Sequence, residues 1–264
     1  MPLYEAIVLG ITQGLTEFIP ISSSGHLILV RSFFQFDGAN GLAVDAILQL
    51  ATALAVLVYF WRDLFDLAKS FFYLVIGKEV LEEKKTLLYA ITVGTIPAIF
   101  FGLLLQNKME TIFRDVHLFA LMLIAGSLLM LFAEKLYKAN SKLSVSRALK
   151  IGIFQSLALV PGVSRSGATI SGGMILGLDR NTATRFSFLL SVPIIIGSGL
   201  MSGLDLANSG ALSALGLNLL ISFFISFIVG LFAIRFLISF LQRNSLKPFI
   251  IYRIILAGII LFFL

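Results

Sequence analysis

Residues 10–25 read Gly10-Ile-Thr-Gln-Gly-Leu-Thr-Glu-Phe-Ile-Pro-Ile-Ser-Ser-Ser-Gly25. The chain shifted by 142 positions reads Gly152-Ile-Phe-Gln-Ser-Leu-Ala-Leu-Val-Pro-Gly-Val-Ser-Arg-Ser-Gly167. Seven of the sixteen aligned positions are identical without a gap. Apolar composition does not account for the polar matches Gln13/Gln155, Ser22/Ser164 and Ser24/Ser166. Each copy starts as an apolar helix and breaks at a Pro/Gly/Ser cluster. It then resumes in a stretch, 27–34 or 169–178, too short to cross a bilayer. Unpaired backbone N–H and C=O groups cannot face lipid, so such breaks must sit inside protein or line a watery cavity. Both copies are therefore expected to be re-entrant hairpins whose tips meet.

The surrounding chain requires a membrane. Hydrophobic residues make up 58% of the sequence and charged residues only 13%, with a mean hydropathy of +1.01. A soluble domain carries about 25% charged residues. Apolar runs near 42–61, 86–106, 116–135, 184–203, 211–234 and 248–264 have the length of full spans and lack the period-2 alternation of a β-barrel. With no Cys, disulfides and thiolate metal sites are excluded. A cleaved signal peptide is not expected, since the first basic residue is Arg31 and Glu5 and Glu17 interrupt the opening stretch.

Lys and Arg concentrate in three connections, five in 62–85, five in 135–150 and four in 235–253, whereas 204–210 has none and 107–115 has Lys108 and Arg114. The positive-inside bias puts the rich segments in the cytoplasm and explains the net charge of +6 without nucleic acid. Span 42–61 then runs outward to inward, while its repeat mate 184–203 runs inward to outward. The segment 65–77 is expected to lie at the interface, and Tyr59 and Trp61 to join the aromatic belt. The predicted fold is an all-α polytopic membrane protein, a single domain over 1–264 with inverted-topology repeats at about 1–136 and 144–264. It contains six full spans and two re-entrant helix–loop–helix hairpins.

The second tip, Pro161-Gly-Val-Ser-Arg-Ser-Gly-Ala-Thr169, has the features of a phosphate cradle. Gly162 and Gly167 allow close backbone approach, the next helix points its N-terminus at the same place, and Ser164, Ser166 and Thr169 add hydroxyls. Arg165 supplies a forked permanent charge. Helix packing in lipid explains Ser and Gly but not an arginine, which costs about 2.5–3.5 kcal/mol at mid-membrane. A Walker A spacing is absent. In the first tip, Gln13 and Glu17 share a helix face, and Ser22, Ser23, Ser24, Gly25 and His26 follow. An intramembrane carboxylate is a functional candidate by default, and His26 can move a proton near neutral pH. Gly10 and Gly14 suit close helix packing. His117 is expected at the surface, and Asp45 and Gln49 are weaker candidates for support of the site. Together the tips hold the parts for phosphoryl transfer: a charge clamp, a nucleophile set and a carboxylate able to hold a divalent metal.

At Gln13-Gly-Leu-Thr-Glu17, Phe-Ile-Pro-Ile-Ser-Ser-Ser-Gly-His26 and Pro161-Gly-Val-Ser-Arg-Ser-Gly-Ala-Thr169, the chain resembles the undecaprenyl-diphosphate phosphatase (UppP) family linked with bacitracin resistance. The resemblance covers essentially the whole sequence. It implies hydrolysis of a C55 polyprenyl diphosphate lipid to the monophosphate and phosphate, dependence on a divalent metal (Mg2+ or Ca2+), and a multi-pass protein of the bacterial plasma membrane with its site open to the outer face. Family functional positions fall on Glu17, Ser23, His26, Ser164, Arg165 and Thr169. Gln13 stands where some members carry Glu, which leaves the second metal ligand beside Glu17 open. Ser23 is the leading nucleophile with His26 as its proton partner, and attack by His26 or by water stays open. Membrane lipids surround the protein, and a homodimer is compatible with the sequence. The alternative is a transporter or flippase of a phosphorylated polyprenyl lipid, which needs the clamp but no nucleophile. A type-two phosphatidic-acid phosphatase fails, because no His follows Ser164-Arg165.

Overall fold

The computed structural model describes residues 1–36, 41–109, 115–208 and 211–263, without the side chains at 42–43, 106–109, 198, 200–208 and 211–215. Among the described residues the chain is all-helical: α1 (Leu3–Phe18), α2 (Ser23–Phe34), α3 (Gly41–Tyr59), α4 (Trp61–Val75), α5 (Glu82–Met109), α6 (Val116–Leu136), α7 (Val145–Leu157), α8 (Arg165–Ile175), α9 (Arg180–Asn208), α10 (Ala211–Leu241) and α11 (Lys247–Phe263). Three stretches, Glu82–Leu105, Val116–Leu136 and Gly216–Leu241, are long and apolar enough to cross a membrane. A fourth is added if Val44–Tyr59 and Trp61–Val75, which meet at 78°, form one broken span. The other expected spans coincide with α3, α9 and α11. Several apolar helices thus fit a multi-pass membrane protein.

Large apolar side chains such as Phe100, Leu103, Phe232 and Phe262 are exposed on the outside, whereas Thr52, Ser127, Ser187, Ser191, Ser222 and Ser226 are buried. Small and hydroxylated residues let helices approach closely where lipid offers no hydrophobic drive. A Cβ at Gly10 would lie 2.7 Å from the Ser222 carbonyl oxygen and one at Gly14 2.8 Å from that of Ser226, so α1 lies against α10 as their spacing predicts. At the equivalent place in the second copy, a Cβ at Gly152 would strike the Gly94 carbonyl, so α7 lies close against α5.

The 65–77 segment forms α4, bent sharply away from α3 at the buried Phe60. It buries Leu67 and Ser70 and leaves Phe65, Phe71 and Phe72 exposed, the amphipathic pattern of an interfacial helix. Trp61 lies exposed at its start. One charge assignment is corrected. Arg253, counted with the 235–253 connection, lies inside α11 with no exposed surface, because buried carbonyls solvate it there (below). Of the residues expected in the basic-poor connections, 110–114 (with Arg114) and 209–210 lie outside the described residues, as does the Lys108 side chain.

Both breaks fall where the repeat predicts. The first runs between α1 and α2, where Pro20 cannot continue a helix, and the second between α7 and α8. Ser22 and Ser164 stand just before the following helices with nearly the same left-handed backbone, φ 76° and 73°. For a residue with a Cβ this conformation is unfavourable and persists only where the surroundings impose it.

Candidate active site

The two breaks meet. The Gly162 N–H donates to Ser22 Oγ at 3.0 Å, joining the tips through backbone and hydroxyl. One helical turn before the first break, Glu17 accepts from three donors. Arg165 Nη2, from the second tip, donates to Oε1 at 2.6 Å, while Ser23 Oγ and Gln13 Nε2 donate to Oε2 at 2.5 and 3.1 Å. The i,i+4 spacing of Gln13 and Glu17 on α1 produces the last bond, and Thr52 of α3 holds the Gln13 amide from behind at 3.4 Å. Both members of the Glu17–Arg165 pair are largely buried, with side-chain exposures of 10% and 15%. Removing one partner of such a pair costs about 3–5 kcal/mol, because the other charge is left buried and unpaired.

A cavity of about 170 Å³ opens at this junction. Glu17, Ser22, Ser23, Ser24, Ser164 and Arg165 line its polar part, and Gln49, Ala158, Ile194 and Ile195 complete the wall. Two helix N-termini, those of α2 and α8, start at its edge. Ser164 caps its own helix by accepting from the Gly167 N–H, but Ser22 makes no such bond, since its hydroxyl is engaged by Gly162. The first-turn N–H groups of α2 are thus left without a side-chain acceptor beside the cavity, and Arg165 Nη1 is buried with no partner among the described residues. An uncapped helix N-terminus and a guanidinium at the edge of one cavity favour an oxyanion.

Other expected residues lie elsewhere. His26 is buried: Nδ1 is 2.7 Å from the Ser22 carbonyl oxygen, Nε2 is 2.8 Å from Tyr252 Oη, and the ring is not among the described residues lining the cavity. Thr169 donates to the Arg165 carbonyl and pairs with Ser187, tying α8 to α9. Ser166 pairs with Ser164 within the tip. Gly25 and Gly162 serve close packing on α6, where a Cβ would meet the Phe119 ring or, at Gly162 (φ 103°), the Phe119 carbonyl oxygen at 2.7 Å. Asp45 forms a two-point ion pair with Arg31 of α2, whereas Gln49 reaches the cavity wall. His117 is exposed at the start of α6. Two functional-site neighbours escaped the sequence, Tyr252 and Arg253. The signal for Arg253 was available: an arginine flanked by Phe-Ile-Ile-Tyr and Ile-Ile-Leu is no connection residue.

Among the described residues no three His, Cys, Asp or Glu side chains gather as a metal site. Glu17 has one neighbour suited to share an ion, Gln13, whose Oε1 is buried without a partner. Mg2+ is usually bound through one or two carboxylates plus substrate phosphates and water; Glu17 would supply one such carboxylate, while Gln13 turns its Nε2 toward it.

Fold and site together give a helical protein that fits a multi-pass membrane protein, with a polar cavity at the junction of two chain breaks and a carboxylate-bound serine in its wall. The family model described as "Bacitracin resistance protein BacA" matches residues 6–259. The undecaprenyl-diphosphatase of Geotalea daltonii is 41% identical over 269 residues, covering 100% of this chain and 99% of that protein. Those of Caldicellulosiruptor bescii and Micrococcus luteus are 42% and 40% identical, covering 100% and 98% of this chain and 98% and 96% of their own lengths. The chain belongs to the bacitracin resistance protein BacA family.

Proposed function

We propose that this protein is an undecaprenyl-diphosphatase, hydrolysing a C55 polyprenyl diphosphate to the monophosphate and inorganic phosphate. The observation that carries the mechanism is the Glu17 carboxylate shared between Ser23 Oγ and Arg165 at the cavity edge. The cavity admits a head group and leaves the prenyl chain in lipid. Arg165 Nη1 and the first-turn N–H groups of α2 hold the terminal phosphate. Ser23 Oγ gives its proton to Glu17 Oε2 and bonds to the terminal phosphorus as the bridging P–O bond breaks. The proton passes to the departing polyprenyl phosphate. Glu17 then takes a proton from the water that hydrolyses phosphoserine and returns it to Ser23 Oγ. Preorganised donors aimed at the developing charge are worth about 10²–10³ in rate for a single group. His26, held between Ser22 and Tyr252, keeps the first tip in shape and exchanges no proton with Ser23.

A divalent ion held by Glu17 and Gln13 would neutralise charge on the diphosphate oxygens. The repeat of Ser22 at Ser164 and of the α1–α10 close approach at α7–α5 supports an inverted repeat over about 1–136 and 144–264, with α1–α2 and α7–α8 as re-entrant hairpins. The concentration of Lys and Arg near α4 and between α6 and α7 favours a cytoplasmic location for those connections and an outward-facing cavity in the plasma membrane.

Phosphate release by purified protein in detergent, with and without chelator, tests the reaction. Hydrolysis lost on chelation is expected. No release under any metal condition would leave only a transport role, which needs two compartments.

A further inference from the structure

We infer that Arg253 is a positioning residue that locks the two breaks in register and so sets the geometry of Glu17, Ser23 and Arg165; the inference rests on the hydrolysis proposed above. Arg253 has no exposed surface, and no ion pair neutralises it among the described residues. All its hydrogen bonds go to neutral oxygens. Nε donates to Ser127 Oγ at 3.0 Å, Nη1 to the Pro20 carbonyl at 3.1 Å, and Nη2 to the carbonyls of Gly162 at 2.8 Å and Leu123 at 3.1 Å.

Pro20 and Gly162 are the same position of the two copies, 142 residues apart, and each lies two residues before the serine in the left-handed conformation. A break takes such carbonyls out of the helical ladder, and a buried carbonyl without a donor is costly. One planar guanidinium satisfies the equivalent carbonyl of both breaks at once, from two nitrogens held in a fixed fork that the rotatable ammonium of a lysine does not reproduce. Helix α6 is shaped to admit it. Ser127 supplies an acceptor, and a Cβ on the neighbouring Gly126 would overlap Arg253 Nη2 and approach the Val163 carbonyl oxygen to 2.6 Å.

The clamped segments are those that carry the reacting groups. Ser22 and Ser23 follow Pro20, and Ser164 and Arg165 follow Gly162. The preceding residue, Tyr252, meets His26 Nε2, so α11 grips the first tip twice. Displacing reacting groups by about 1 Å costs about 10²-fold in rate without loss of substrate binding.

Two variants approach the clamp from opposite sides. Arg253→Lys removes the fork, and Gly126→Ala keeps the arginine but pushes it aside. Both are purified in detergent, checked for monodispersity and thermal stability, and assayed for phosphate release from undecaprenyl diphosphate beside wild type. Each is expected to lower kcat about 10²-fold with KM within about 3-fold, and the double variant to be little worse than either alone. If monodisperse variants keep kcat within about 3-fold, the inference is overturned and Arg253 serves stability alone. Failure of both to give monodisperse protein also overturns it. Absence of turnover by wild type would instead remove the reaction on which the inference rests.

Discussion

At Ser22 and Ser164 the backbone makes the same left-handed turn into a new helix, yet the two hydroxyls go to different places. Ser164 caps the helix it starts, α8, and so stabilises its own tip. Ser22 leaves α2 uncapped and accepts from Gly162 across the junction. The residues that follow diverge as well. Ser23 carries a hydroxyl bound to Glu17, and its repeat mate Arg165 carries the cation that binds the same carboxylate from the opposite side. The two breaks share one backbone turn, and the residue after it puts a hydroxyl on the Glu17 carboxylate at one tip and a guanidinium at the other; in the proposed reaction these become the nucleophile and the anion clamp. The α2 N–H groups left open at the first tip complement that clamp.

The largest expected effect breaks the link between the tips. Glu17→Ala removes the acceptor for Ser23 and strands Arg165 as an unpaired buried charge, and kcat is expected to fall at least about 10³-fold, measured as phosphate release. Next, Arg165→Lys keeps the charge and loses the fork, with an expected loss of about 10²-fold in kcat. The serines themselves sharpen the contrast. Ser164→Ala is expected to cost about 1 kcal/mol of stability as a lost helix cap, read by thermal denaturation. Ser22→Ala strands the Gly162 N–H and is expected to cost about 10-fold in kcat, because a tip-to-tip bond is lost. His117→Ala, remote from either tip, should leave kcat within about 2-fold, the range of ordinary surface substitutions.

The repeat was legible because its polar matches are few and fixed in spacing, and it located both breaks, the Gln13–Glu17 face and the arginine opposite. Three features were missed, each for a physical reason. Ser23 and His26 lie three apart on one short helix, and spacing alone puts them together. The rotation of α2 is decided by the His26 ring bonding back to the Ser22 carbonyl and to Tyr252, whose helix is far away in sequence. The expected N–H cradle at Gly162 and Gly167 gave way because Ser22 and Ser164 accept those protons. Arg253 was misassigned because charge counting treats an arginine near a helix end as a loop residue. Its solvation by carbonyls from both breaks exists only once the tips have met.

Rapid-quench trapping with terminally labelled undecaprenyl diphosphate, followed by mass-spectrometric mapping, tests the shared-carboxylate mechanism most directly. The label is expected on Ser23, formed within one turnover and absent from Ser23→Ala. Label on His26, or a Ser23→Ala variant that turns over at the wild-type rate, would contradict it.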